Sequence, residues 1–195
     1  MAYRRRDYQQ KWRIERAAAA TRERLGLDQL EVLDPNLLVA DLDAQVFHLS
    51  DLITDDGVGL RRARRIAFDG ASFFHPETGH PVIILNCGRP VRRRVATLME
   101  ELAHLLLEHT PSRIAPDPKL GVVRRSFNRE QEDEAYDLGT ALLLPKERIQ
   151  RDVKEEQLTA REIADTHKCS EQLVEYRIRR MRLWRRYSAY ARSAS

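Results

Sequence analysis

The stretch TLMEELAHLLLEHTPS, residues 97–112, decides how this chain reads. On a wheel of about 100° per residue, Arg93, Thr97, Glu100, Glu101, His104 and Glu108 fall in one stripe. Val95, Leu98, Met99, Leu102, Ala103 and Leu105 to Leu107 fill the rest. A helix over 91–108 is therefore expected to be buried around most of its circumference. Its narrow polar stripe has two readings. It is the solvated edge of a core helix, or it is the floor of a cleft. In the second reading Glu100 and His104, one turn apart, face one metal ion, and Glu101 takes a proton from a metal-bound water. The frame E-E-x-x-H matches H-E-x-x-H except for glutamate in place of its first histidine, and so reads as a metal site with one ligand exchanged, a site that has lost its metal, or an ordinary acidic face.

A metal needs a further ligand. In EQEDEAYDLGTALLLP, residues 130–145, a helix would set Glu130, Glu134 and Asp137 on one face and Ala135, Leu138 and Leu142 on another. Here too a solvated acidic face is the plain alternative. Asn128 caps this helix and Pro145 ends it. Further out, residues 8–25 read as an alanine-rich helix, DPNLLVADL as a short one after Pro35, and QVFHLSDL as a strand. Phe73 to His75 and Val82 to Asn86, on either side of PETGH, form a hairpin signal. Residues 110–127, with three prolines and a glycine, read as a long loop, and 146–157 as a charged connection.

Three segments in this order resemble the ImmA/IrrE family of metallopeptidase-like proteins: VIILN (82–86), MEELAHLLLEH (99–109) and DEAYDLGTALLLP (133–145). The resemblance covers roughly residues 20–150. It implies that His104 is the second metal-binding histidine, Glu101 the catalytic general base, and Glu134 the third ligand, as in gluzincins. Glu100 stands where the first histidine belongs, and Leu138-Gly139 replaces the usual Phe-Ala. The implied cofactor is Zn2+, and the implied role is intracellular cleavage or control of a regulatory protein in stress or mobile-element circuits.

Glutamate for histidine is chemically tolerable, because zinc accepts carboxylate oxygen. A His2Glu set leaves one net positive charge on the metal site, whereas Glu100, His104 and Glu134 leave none. The bound water is then less acidic, and oxygen ligands favour harder ions, Mn2+ or Fe2+. Without a metal, Glu100, Glu101 and Glu134 would repel one another unless a cation such as Arg93 met them. His109 reads as a capping or surface residue, and His75 and His80 as surface residues flanking the turn. Tyr136 is a candidate oxyanion donor. VIILN is a candidate sheet edge to which an extended peptide adds.

Residues 158–190 have the form of a helix-turn-helix. Thr159 and Glu162 make a capping box, Cys169 lies in the turn, and Ser170 caps a second helix rich in arginine. Arg177, Arg180 and Arg182 are candidate contacts to DNA or to a partner. The other reading is a docking unit that packs on the rest of the chain.

The 195 residues carry a net charge of +4 and 33% charged residues, too mild a bias to name a nucleic-acid partner. Two distant cysteines argue against a disulfide framework, and no apolar run suits a signal or a membrane span, so a cytoplasmic protein is expected. The expected fold is α+β. An N-terminal helix (1–25) leads into a small mixed sheet on a gluzincin-like helical metallopeptidase core (26–150), and a helix-turn-helix tail (151–195) follows. Its expected function is a metal-dependent endopeptidase. A non-catalytic pseudopeptidase regulator that binds a protein partner, and a DNA-binding regulator acting through the tail, are the alternatives.

Overall fold

A computed structural model describes residues 2–51, 69–109, 114–117, 122–125 and 128–191; for 2–8 and 114–125 only the backbone path is described. The basic side chains Arg4 to Arg6 and the run Arg61 to Arg65 lie outside it. The described residues form a mostly helical α+β structure with eight α-helices. In chain order these are α1 (Ala2–Arg24), α2 (Pro35–Asp41), α3 (Val91–Leu106), α4 (Arg129–Leu143), α5 (Lys146–Lys154), α6 (Ala160–Thr166), α7 (Glu171–Arg180) and α8 (Trp184–Ala191).

Strands β1 (Gln45–His48), β2 (Gly70–Phe74) and β3 (Pro81–Leu85) make a mixed sheet in the order β1-β3-β2. β1 runs parallel to β3 and β2 antiparallel to it. The expectation that VIILN is an edge is corrected here: β3 is the central strand. Val82, Ile83 and Leu85 are buried, and a near-continuous apolar run is stable only where both faces are covered. Residues 110–127 are also not all loop, because β4 (Ile114–Asp117) and β5 (Val122–Arg125) pair antiparallel. The charged connection after Pro145 is in fact α5, whose alternating charges surround the buried Ile149 and Val153.

One core runs through the whole described chain, from Ile14 and Ala18 on α1 to Met181, Leu183 and Tyr187 near the end. The central pair is α3 on α4. Gly139 makes their close approach possible: a Cβ there would meet the Met99 carbonyl oxygen at 2.7 Å and its carbon at 2.8 Å. Gly70 does the same for β2, since a Cβ would meet Thr97 Cγ2 at 2.5 Å.

Two buried arginines then close the C-terminal end of α4. Arg22, wholly buried, donates Nη1 to the Leu142 carbonyl at 2.8 Å and Nη2 to the Asp28 and Glu31 carbonyls. Arg177 donates Nε to the Leu144 carbonyl at 2.8 Å. The last carbonyls of a helix lack intrahelical partners and carry the negative end of its dipole, so guanidinium groups are well matched to them. One comes from the first helix and the other from the tail, so both ends of the chain are tied to α4.

A candidate metal-binding and catalytic site

The site begins with the buried stripe of α3. Glu101 is 4% exposed, and Ser72 Oγ on β2 donates to its Oε2 at 2.7 Å. One turn away along the stripe, His104 reaches toward α4, its Nε2 lying 3.8 Å from Glu132 Oε2. Helix α3 then stops at Leu107, and Glu108 takes φ 52°. Glu108 N–H bonds back to the Leu105 carbonyl and His109 N–H to the His104 carbonyl, the two reverse bonds of a Schellman turn. That turn folds His109 back over its own helix. Its Nδ1 comes to 3.0 Å from His104 Nδ1, and its Nε2 to 3.4 Å from Glu134 Oε2. Of the two roles expected for His109, capping holds, since its N–H closes the turn, but a surface position is corrected: its side chain is 7% exposed and lies against His104 and Glu134. Burial, with Arg13 adding to it, pushes the His109 imidazole below its ordinary value and favours the neutral ring.

Glu134 faces α1 as well, and Arg13 donates to its Oε1. Arg13 is two-thirds exposed, so the pair contributes roughly 0–1 kcal/mol. Glu100 lies in the electrostatic reach of Arg93 and Tyr136. Arg93 itself is engaged chiefly by Asp69, at 2.6 Å, and that bond raises the guanidinium's pKa further. Burial pushes the Tyr136 hydroxyl up, with Arg93 opposing, so it stays a proton donor.

The acidic face expected on α4 is divided. Glu130 is exposed. Asp137 turns away from the site, taking Tyr176 OH at 2.5 Å and Arg180 Nη2 at 2.5 Å. Glu134 and Glu132 face the histidines. Glu132, Ser72 and Arg13 were not singled out in the sequence; only the E-x-E spacing on a helix opposite a histidine hinted at Glu132. His75 and His80 serve the hairpin: His75 Nδ1 accepts from the Glu77 and Thr78 amides, and His80 Nδ1 lies 2.9 Å from Asp43 Oδ2.

Imidazoles and carboxylates, the donor types that zinc takes, lie near one another and largely buried here. Among the described residues, however, no three His, Cys, Asp or Glu side chains converge on one point. The arrangement is two imidazoles at a steep angle, 68°, that meet through their Nδ1 atoms, with a carboxylate 3.4–3.8 Å from each Nε2.

The sequence model of a protein family described as the IrrE N-terminal-like domain (Peptidase_M78) matches residues 56–179, more than half of the chain. The chain belongs to that family. No curated protein matches it. Membership in the IrrE-like family indicates a metallopeptidase lineage and thereby a metal. In this IrrE-like chain α1, which supplies Arg13, precedes the matched segment.

The tail of the IrrE-like chain packs inward. α6 and α7 follow one another across a short turn with the capping box of Thr159 and Glu162 and the cap of Ser170 in place. Of the three arginines expected to reach DNA or a partner, Arg177 is 1% exposed and holds Glu15, and Arg180 holds Asp137. Only Arg182 is exposed, beside a groove that Lys11, Trp12 and Met181 also line. No helix among the described residues is long and apolar enough to cross a membrane.

Proposed function

We propose that this chain is a metal-dependent endopeptidase acting on a protein substrate, with His104 and the acidic face of α4 holding the metal and Glu101 as general base. The observation that carries this reading is the placement of Glu101. It is a buried carboxylate one turn before His104, oriented by Ser72 on β2. Burying a carboxylate is costly unless it is well bonded or used, and a water-activating base is one such use. A metal in this cleft would supply Lewis acidity and acidify a bound water. The chain's own groups would do the rest. Glu101 takes the proton, Ser72 fixes its carboxylate, and Tyr136 offers a hydroxyl proton to a developing oxyanion. β2, the described sheet edge nearest Glu101, is where an extended peptide would add.

The test is a metal assay of the purified protein with a cleavage assay on a quenched fluorescent peptide library. Glu101→Gln should abolish cleavage and leave the metal bound. Cleavage that survives in Glu101→Gln removes Glu101 from the mechanism.

A second reading is a non-catalytic regulator that binds a protein through the same cleft. It is favoured by the cations already present, Arg13 on Glu134 and Arg93 near Glu100. A wild-type protein that takes up no metal and holds a partner uncleaved would select it.

A further inference from the structure

A groove of about 410 Å³ opens where α1, the junction of α4 and α5, and the turn after α7 meet. Its floor is apolar, with Ala18 and Met181 both buried. Trp12 lines it too, 55% exposed, with the Arg16 guanidinium 5.1 Å from the ring centroid. Lys11, Arg16, Lys146 and Arg182 supply positive charge, against the carboxylates of Glu15 and Glu147. Glu15 is already held at both oxygens by Arg177, so positive charge is in excess. Lys11 registers this field. Burial lowers the pKa of its ammonium, Glu15 raises it, and Arg180, Arg177 and Arg182 all lower it. Its Nζ donates to the Arg180 carbonyl at 2.5 Å, which holds it in place.

We propose that this groove binds an acidic peptide segment of a partner protein, with an apolar side chain against Trp12 and Met181 and carboxylates on Arg16, Lys146 and Arg182. Indoles and arginines are the usual anchors of protein interfaces, and a cationic rim selects an anionic partner. A nucleic acid fits less well. Its backbone offers phosphate acceptors and no donor for Glu147, whereas peptide N–H groups can donate to that carboxylate. Lys11, Trp12, Arg16, Met181 and Arg182 lie outside the segment that matches the IrrE-like family, so family membership does not account for the groove. None of its residues belongs to the proposed peptidase site, and the two readings stand or fall separately.

The experiment is fluorescence anisotropy of the full-length protein with a short labelled peptide of glutamates around one leucine. The same peptide with glutamines, and a short oligothymidylate, are the comparisons. Each exposed ion pair contributes up to about fivefold in affinity. The glutamate peptide should therefore bind about tenfold more tightly than the glutamine one, and more weakly as salt rises. Lys146→Glu combined with Arg182→Glu, both exposed positions, should weaken the glutamate peptide about tenfold or more. Trp12→Ala should weaken both peptides. Glu147→Gln should tighten the glutamate peptide, an effect that misfolding cannot imitate. Equal affinity for the two peptides overturns the proposal. So does a charge-reversed double variant that binds the glutamate peptide unchanged, since another basic surface would then hold it. Preference for the oligothymidylate would assign the groove to nucleic acid, and a dimer that the double variant dissolves would assign it to a second copy of the chain. Either result overturns the peptide reading.

Discussion

Arg177 donates Nη1 and Nη2 to the two carboxylate oxygens of Glu15, both at 2.7 Å, joining the tail to the first helix. The guanidinium is 1% exposed, and the carboxylate is 17% exposed. Removing one partner of such a pair strands a buried charge, which costs about 3–5 kcal/mol. Glu15→Gln should therefore lower the thermal midpoint sharply. The paired replacement Glu15→Leu with Arg177→Met should recover only part of the loss, because Arg177 Nε also holds the buried Leu144 carbonyl; denaturant midpoints read the difference.

Gly139→Ala should also destabilise. Alanine gains about 1 kcal/mol of helix propensity over glycine. The new Cβ would stand 2.7 Å from the Met99 carbonyl oxygen, a backbone atom that cannot swing aside. Overpacking of this kind costs about 1–3 kcal/mol, so a net loss on the order of 1 kcal/mol is expected. A stabilised variant would show that α3 and α4 separate freely.

Lys168 sits at φ 51° after α6, the position where a Schellman turn favours glycine. Its N–H bonds to the Asp165 carbonyl and the Cys169 N–H to the Ala164 carbonyl. The left-handed conformation costs a side-chain-bearing residue about 1–2 kcal/mol, and glycine loses part of that in unfolded-state entropy. Lys168→Gly should stabilise by somewhat less than 1 kcal/mol in urea unfolding. No gain, or a loss, would mean that the lysine side chain makes up for the strain.

His167 is 2% exposed, and its imidazole is lowered to about 4, first by burial and then by Arg148 and Arg22. The folded value lies below the unfolded one near 6.5. Between these values the unfolded chain binds the proton and the folded chain does not. The contribution is therefore fully present above about pH 6.5 and is lost as pH falls toward 4, to roughly 3 kcal/mol. Burial pushes the Asp152 carboxyl up and gives an opposite slope, so the difference between wild type and His167→Phe isolates the histidine. Equal pH slopes for the two proteins would contradict this environment.

Burial pushes the Cys169 thiol up to about 12. Cys87 is half-buried. A thiol reagent at neutral pH should label Cys87 first and Cys169 only on unfolding, read by mass spectrometry. Early labelling of Cys169 would mean that the turn between α6 and α7 opens in the native state.

Local chemistry carried the helices α1 to α4, the hairpin, the caps at Asn128, Thr159 and Ser170, and the stripe of Glu101 and His104. Periodicity, breakers and caps act within a few residues, so they are visible in a linear string. α5 was missed because its lysines, arginines and glutamates resemble a linker; Ile149 and Val153 read as core only once α5 is packed. The arginine-rich stretch of the tail is not one helix: it breaks after Arg180 into α7 and α8.

The sequence by itself determined which residue types stand at the site: a glutamate for the first motif histidine, then Glu101, His104 and the acidic run of α4. It also determined the family to which they point. Only the tertiary structure decided how they are used. His109 became a site residue because a left-handed Glu108 turned it back. Glu132 and Glu134 separated from Asp137 because neighbours on three other helices drew them in different directions. Arg177 went inside because the end of α4 and Glu15 offered acceptors that water would otherwise have supplied. These outcomes depend on residues far apart in the chain, and their energies come from packing and burial, which no local pattern encodes.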